Sequence, residues 1–159
     1  MEIKRIVMEK RLIYNFLTDD ELLRISNKIK TEEKQTAGEI CVSIKEKISF
    51  KERNKSVQEL TEKEFFKLGI QNTRDKTGIL IFILLEGRKF FVLADSGINE
   101  KVPENTWDSI KDEMQALFQK GKFCKGILYG VEKVGQILSE HFPIKSDDTN
   151  ELSNRVNIK

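Results

Sequence analysis

Seven consecutive apolar residues, Ile79 to Leu85, constrain the fold of this chain more than any other stretch. A half-buried strand alternates apolar with polar residues, so an unbroken run this short is typical of a strand covered on both faces. A buried helix segment is the alternative. The short length, the Ile and Phe content, and the flanking Gly78 and Gly87 disfavour it.

A second apolar run, Phe90 to Ala94, follows after a short link that contains Gly87. Two strands joined in this way predict a β-hairpin. Asp75 precedes the first strand and Asp95 follows the second. Because the open ends of an antiparallel pair lie side by side, we expect the two aspartate loops within roughly 5–10 Å of each other, at one edge of the sheet.

The segment before the hairpin predicts a helix and then a strand. Thr18 and Glu21 form a capping-box pattern, which indicates the start of a helix that should end near Lys34. The next stretch alternates apolar residues with smaller ones and predicts a strand that begins near Glu39.

A second capping-box pattern, Ser49 with Glu52, predicts another helix, which Gly69 should end. This helix would connect the first strand to the Ile79 strand. Such a strand–helix–strand unit implies a right-handed parallel crossover. Because the hairpin adds an antiparallel strand, the predicted sheet is mixed.

The C-terminal part predicts two more helices. Pro103 is suited to the first turn of one, and Gly121 should end it. The last helix should run from about Phe123 to Phe142. We predict a single domain over residues 16–143, an N-terminal extension over residues 1–15, and a disordered tail over residues 144–159.

Composition argues against several classes of protein. The chain has 159 residues, 34% of them charged, yet the net charge is only +2 and the basic residues are scattered among acidic ones. This pattern does not favour nucleic acid as the main partner. No signal peptide and no apolar stretch near the roughly 20 residues of a membrane span is visible, so we expect a cytoplasmic protein without a membrane span.

Two cysteines, Cys41 and Cys124, have no metal-ligand spacing. They are best interpreted as free thiols, buried or partly buried, in a reducing compartment.

Six segments, in a fixed order over residues 16–143, resemble the TPM domain family, which is named for a thylakoid-lumen protein, a photosystem II-associated protein and a nematode receptor modulator. The segments are FLTDDE, TAGEICVSI, FFKLGIQNTRDKTGILIFILLEGRKFFVLADSGI, WDSI, FQKGKFCKGILYGVEKVGQIL and HFP. The resemblance implies an α/β fold: a three-layer sandwich in which a mixed β-sheet has helices on both faces.

The resemblance implies a function that varies across the family. Plant members have been credited with weak acid phosphatase activity and a role in photosystem repair, and some bacterial members bind calcium in loops at one sheet edge. Many members have a signal peptide and a C-terminal membrane anchor. Neither is visible in this sequence, so we do not expect a membrane or photosystem role.

Asp75 and Asp95 match the acidic loop positions of the family, and Glu39 on the neighbouring strand could join them. Three oxygen ligands from separate loops suit calcium, which prefers six to eight oxygens and tolerates irregular geometry. The alternative is turn chemistry, because aspartates commonly bind nearby backbone amides. Both interpretations stay open.

Support for catalysis is weaker. The chain has no Cys-x5-Arg loop and no DxDxT run, and its single histidine, His141, is best interpreted as a helix-end residue. Arg74 could bind phosphate, but a solvated loop arginine is the simpler interpretation. Trp107 could wall a cleft, although its place on an apolar stripe favours the core.

Three functions are therefore compared. The first is a calcium-binding module, the second a weak metal-assisted phosphatase at the same edge, and the third an adaptor for a protein partner without ligand chemistry.

Overall fold

The apolar run forms an interior strand of a four-stranded mixed sheet. The computed structural model describes residues 11–144 and 156–158. Its strands are ordered β3-β2-β1-β4, with β1–β2 and β1–β4 parallel and β2–β3 antiparallel. The strands are β1 (Glu39–Lys45), β2 (Gly78–Leu84), β3 (Lys89–Ala94) and β4 (Asn157–Ile158). The predicted hairpin and the parallel crossover are both confirmed.

Five α-helices accompany the sheet in the described residues. They are α1 (Asp19–Glu33), α2 (Val57–Lys67), α3 (Ser96–Asn99), α4 (Asp108–Gln119) and α5 (Phe123–His141). The described residues also form three short 3-10 helices: Leu12–Asn15 precedes α1, Phe50–Glu52 lies between β1 and α2, and Ile70–Asn72 lies between α2 and β2. The predicted α/β fold with a mixed sheet is confirmed. None of the helices in the described ranges is long and apolar enough to span a membrane.

Every residue of β2 is buried, because successive side chains point to opposite faces and helices cover both. One face of the sheet packs against α1, α4 and α5 in what we call the main core, which includes Ile40, Val42, Ile44, Ile79, Ile81 and Ile83. The other face packs against α2 in the second core, which consists of Cys41, Leu60, Phe65, Ile70, Leu80, Phe82 and Leu84. Cys41 and Cys124 are free and buried, as predicted.

The predicted start of α1 at Thr18 and the predicted end of α4 at Gly121 are both confirmed. Thr18 accepts a hydrogen bond from the Glu21 amide, and the Glu21 side chain accepts one from the Thr18 amide. At the end of α4, Gly121 has a φ of 77° and the Lys122 amide donates to the Leu117 carbonyl. This is a Schellman motif. The residue after the C-cap has a left-handed backbone conformation, which glycine adopts without strain.

Two predicted helix starts were wrong. The Ser49–Glu52 box caps the 3-10 helix Phe50–Glu52, and α2 begins only behind a later box at Ser56. Pro103 does not begin α4, which starts at Asp108. The backbone amide and the hydroxyl of Thr106 both donate to the Pro103 carbonyl, so a local turn takes up this carbonyl.

The C-terminal tail differs in part from the prediction. The extension up to residue 10 and residues 145–155 and 159 of the tail lie outside the described residues. Asn157 and Ile158, predicted to be disordered, pair with Ser43 and Ile44 of β1. Val156 and Ile158 also pack against the main core. Without β4 this part of β1 would be an open edge, so the added strand satisfies its backbone groups.

Glu52 is held between two lysines and should make stability depend on pH. Lys63 donates to its carboxylate at 2.7 Å and Lys45 lies 3.1 Å away, while the Glu52 side chain is only 5% exposed. The Lys63 hydrogen bond, with help from Lys45 and the Ser49 amide, lowers the pKa of Glu52 from 4.5 to about 2. Because the pKa of Glu52 is lower in the folded than in the unfolded state, its ionised carboxylate stabilises the fold at pH values above the unfolded-state pKa. This stabilisation is lost as the pH falls towards the folded-state pKa.

We therefore expect Glu52→Gln to lower the free energy of unfolding by about 2 kcal/mol at pH 7. The difference from the unsubstituted chain should shrink as the pH falls from about 4.5 towards 2. Urea unfolding at a series of pH values measures it. The control is Glu62→Gln, because Glu62 is exposed. Its free energy of unfolding should lie within about 0.5 kcal/mol of that of the unsubstituted chain. A difference that stays constant between pH 7 and pH 3 would contradict the assignment.

Candidate functional site

Two of the three predicted site residues, Glu39 and Asp95, lie in one backbone row across the sheet. Glu39 begins β1 and pairs with Gly78, the first residue of β2. The Asp95 amide, directly after β3, donates to the Gly78 carbonyl at 2.9 Å. Glu39, Gly78 and Asp95 therefore lie side by side at the edge that the hairpin pattern predicted.

Ile70 packs against Gly78, the middle residue of this row. Its Cγ2 atom lies 2.5 Å from where a Cβ on Gly78 would stand, so the Ile70 side chain covers Gly78. Two strand spacings, about 10 Å, separate the outer residues of the row. Glu39 itself is only 4% exposed. The participation of Glu39 in a site shared with the aspartates stays a prediction.

Asp95 combines turn chemistry with an unexplained oxygen. Its Oδ1 atom accepts a hydrogen bond from the Ser96 amide at 2.7 Å and caps the short helix α3. Its Oδ2 atom is buried and has no hydrogen-bond partner among the described residues. A buried carboxylate oxygen without a partner is destabilising. The turn interpretation thus accounts for the Oδ1 atom of Asp95 and leaves the burial of its Oδ2 atom unexplained.

The two aspartate loops are in contact at Gly97. A methyl group at Gly97 would overlap the carbonyl oxygen of Asp75 and would stand 2.5 Å from the carbonyl oxygen of Lys76. Lys76 has a φ of 57°, a left-handed conformation that is costly for a lysine. The Lys76 ammonium donates to the Gln71 carbonyl at 2.6 Å. The strained loop therefore presents two backbone carbonyls towards the start of α3.

The side chain of Asp75 faces solvent. It is 47% exposed, and its Oδ2 lies 3.5 Å from the Nε of Arg74, which is 53% exposed. An exposed pair of this kind contributes little to stability. The Asp75 carboxylate is therefore accessible to a ligand, and it is paired with Arg74, the arginine that the sequence suggested.

Gln71 is a candidate that sequence reasoning missed. Its Oε1 atom is buried without a hydrogen-bond partner in the described part of the chain. Gln71 follows Ile70, the residue that covers Gly78. No local sequence pattern distinguishes this glutamine, because its importance arises from where the 3-10 helix Ile70–Asn72 packs on the sheet.

The Cys41 thiol, near the start of β1, is unreactive. Burial raises the pKa of its thiol to about 12, and the negative charges of Glu33 and Glu39 add to the effect. The neutral thiol is neither a nucleophile nor a good metal ligand.

The remaining sequence candidates occupy structural positions. Trp107 is 8% exposed and belongs to the main core, while His141 is the exposed last residue of α5. Within the described ranges, no group of three or more His, Cys, Asp and Glu side chains is arranged to hold a metal ion. Any cation at this edge would therefore need carbonyl, amide or water oxygens beside the carboxylates.

Comparison with known proteins assigns the chain to a family. The family model described as the TPM domain matches residues 14–137, which is most of the chain. The chain belongs to the TPM domain family. The resemblance found in the six sequence segments is confirmed.

Solved structures support the same assignment. This TPM domain is similar to the BA42 protein from the psychrophilic bacterium Bizionia argentinensis, with 33% identity, a TM-score of 0.81, and coverage of 91% of this chain and 96% of that one. The N-terminal domain of a P. gingivalis protein is 21% identical, with a TM-score of 0.66 and coverage of 82% and 83%. The N-terminal domain of the cg2496 protein from Corynebacterium glutamicum is 12% identical, with a TM-score of 0.60 and coverage of 86% and 82%. These last two show the fold alone. No curated protein matches the chain.

Proposed function

We propose that this TPM domain is a binding module that holds one calcium ion where the loops of Asp75 and Asp95 meet. The observation that carries the proposal is the buried Oδ2 atom of Asp95, which has no hydrogen-bond partner among the described residues. A cation bound to this oxygen would supply the missing interaction and would leave the Oδ1 cap on Ser96 in place.

The neighbouring donors are oxygens, which is the ligand type that calcium prefers. The carbonyls of Asp75 and Lys76 face Gly97, two residues beyond Asp95. Gln71 adds a second buried oxygen without a partner in the described chain. The exposed carboxylate of Asp75 can turn towards a cation, and water can complete the six to eight ligands.

Calcium fits this set better than other common divalent ions. Zinc prefers thiolate and imidazole ligands, whereas the chain has one histidine, at the end of α5, and the Cys41 thiol stays protonated. Magnesium requires near-ideal octahedral geometry, which irregular loops rarely provide, whereas calcium tolerates a flexible shell.

We expect calcium to raise the melting temperature of the unsubstituted chain, because a ligand that binds only the folded state stabilises it by about 2.7 kcal/mol at a hundred times Kd. Asp95→Asn keeps an oxygen that can cap Ser96 and replaces Oδ2 by an amide nitrogen. It should therefore abolish both the shift and the heat of binding without unfolding the protein. Calorimetric titration with CaCl2 and thermal melts measure the two effects.

The matched control is Asp108→Asn, which removes an aspartate that begins α4 and is 66% exposed. It should bind calcium like the unsubstituted chain. Two results would refute the calcium site. The unsubstituted chain could show neither heat of binding nor a shift in melting temperature at millimolar calcium, or the Asp95→Asn variant could respond to calcium as strongly as the unsubstituted chain. The turn interpretation of Asp95 would then be sufficient.

A further inference from the structure

An aromatic cleft lies at the opposite end of the hairpin from the candidate calcium site. Its volume is about 690 Å³, within the range of pockets that bind small molecules. Four separate parts of the chain line it: the 3-10 helix near the N-terminus, the turn between β2 and β3, the end of α4 and the start of α5. Because β2 rises about 3.3 Å per residue, the cleft and the Asp95 edge are about 20 Å apart.

Four phenylalanines form the apolar wall of the cleft. Their ring centroids are 5.1 Å apart for Phe16 and Phe123, 4.8 Å for Phe118 and Phe123, and 5.2 Å for Phe90 and Phe118. These are favourable spacings for tilted and edge-to-face pairs. All four rings line the cleft and are partly buried against the main core, so each still offers surface to a ligand.

The wall is fixed in position by a glycine of α5. A Cβ on Gly126 would stand 2.5 Å from the Cε1 atom of Phe118, so the ring lies directly against the helix backbone. The Schellman motif at Gly121 also sets the turn between Phe118 and Phe123. A preformed wall loses little conformational entropy when a ligand binds.

Two basic residues, Arg88 and Lys89, supply the charge of the cleft. No Asp or Glu is among the described residues that line it, whereas Asn15, Gln115 and Gln119 offer amide groups. The guanidinium carbon of Arg88 lies 5.7 Å from the centroid of the Phe16 ring, which places the charge beside the aromatic wall. A cluster of cations without a carboxylate in its lining favours an anion.

The backbone of Arg88 is unusual. Its φ is 53°, a left-handed conformation in which glycine or asparagine is less strained. Strained residues of this kind occur preferentially at ligand clamps. An arginine at this turn position destabilises the fold, and its side chain lines the cleft. The strain is therefore consistent with a role of Arg88 in binding a ligand there.

We propose that the aromatic cleft binds a small amphipathic anion with a flat apolar body and one carboxylate, phosphate or sulfonate group. The body stacks on the phenylalanine rings, and the anionic group is bound by Arg88 and Lys89. This site is separate from the proposed calcium site and does not depend on it.

The test uses 8-anilinonaphthalene-1-sulfonate, a flat aromatic sulfonate, with the full chain. We expect a saturable rise in fluorescence with one site per chain. Arg88→Asn, which tolerates the left-handed backbone, should weaken binding roughly tenfold, because a charge-assisted hydrogen bond is lost. The uncharged analogue N-phenyl-1-naphthylamine should bind more weakly than the sulfonate and should be insensitive to Arg88→Asn.

The matched control is Arg53→Asn, because the guanidinium carbon of Arg53 also lies over a phenylalanine, Phe50, at 5.1 Å, but outside the cleft. It should leave the dye affinity unchanged. Equal binding of both dyes, or equal effects of the two arginine substitutions, would overturn the proposal. Binding that arises only after removal of residues 1–10 would also overturn it, because the chain itself would then be the occupant.

Discussion

Replacing Phe82 by alanine is expected to lower the free energy of unfolding by about 4 kcal/mol, the largest effect of any substitution considered. Phe82 lies at the centre of β2, is fully buried, and belongs to the second core. Among the described residues, seven buried side chains form this core, and α2 packs on the sheet through them. Removing the ring leaves a cavity that neighbouring strands cannot fill, because the sheet fixes their spacing.

Urea unfolding and thermal melts measure the loss, which corresponds to a fall in Tm of roughly 8–16 °C for a chain of this size. The control is Phe66→Ala, since Phe66 belongs to α2, the helix that packs on this core, but its side chain is 60% exposed. It should cost less than about 1 kcal/mol. Similar losses for the two variants would mean that the second core is not packed as described.

Replacing Gly97 by alanine is expected to cost about 3 kcal/mol. Gly97 lies in α3 and does not have a positive φ, so alanine is compatible with its backbone conformation. The cost arises from the added methyl group, which would overlap the carbonyl oxygen of Asp75 and crowd that of Lys76. Because these are backbone atoms, rotation of a side chain cannot relieve the overlap.

Urea unfolding measures the cost, and amide NMR spectra should show the largest shifts at residues 75–76 and 95–98. Ser96→Ala is the control. It changes the neighbouring exposed residue of α3, which already has a Cβ, and should stay within about 0.5 kcal/mol. A Gly97→Ala variant as stable as the Ser96→Ala variant would mean that the two aspartate loops do not touch.

The sequence predicts those parts of the fold that depend on local pattern. The unbroken run Ile79 to Leu85, the short link at Gly87 and the alternation after Glu39 are signals within one segment, and each predicted strand is found. Because a tight hairpin pairs neighbouring strands, the meeting of the Asp75 and Asp95 loops also follows from local information.

Features that depend on packing between distant segments could not be predicted. The position of Ile70 over Gly78 arises from how the 3-10 helix Ile70–Asn72 docks on the sheet. The burial of the Asp95 Oδ2 atom is likewise a property of the folded chain and not of a local pattern. Competing patterns explain the wrong start of α2. Ser49 and Ser56 both form capping boxes, and only the tertiary contacts decide which one begins α2. The aromatic cleft draws on four separate segments, so no single stretch reveals it.

The fixed register of the hairpin has an evolutionary consequence. Ile79 pairs with Ala94 and Leu84 pairs with Lys89, so β2 and β3 together set how far the loops of Asp75 and Asp95 lie from the aromatic cleft. A one-residue insertion within either strand would turn every later side chain to the opposite face. Changes of chain length between homologous sequences should therefore accumulate outside residues 78–94, where they leave both ends of the hairpin intact.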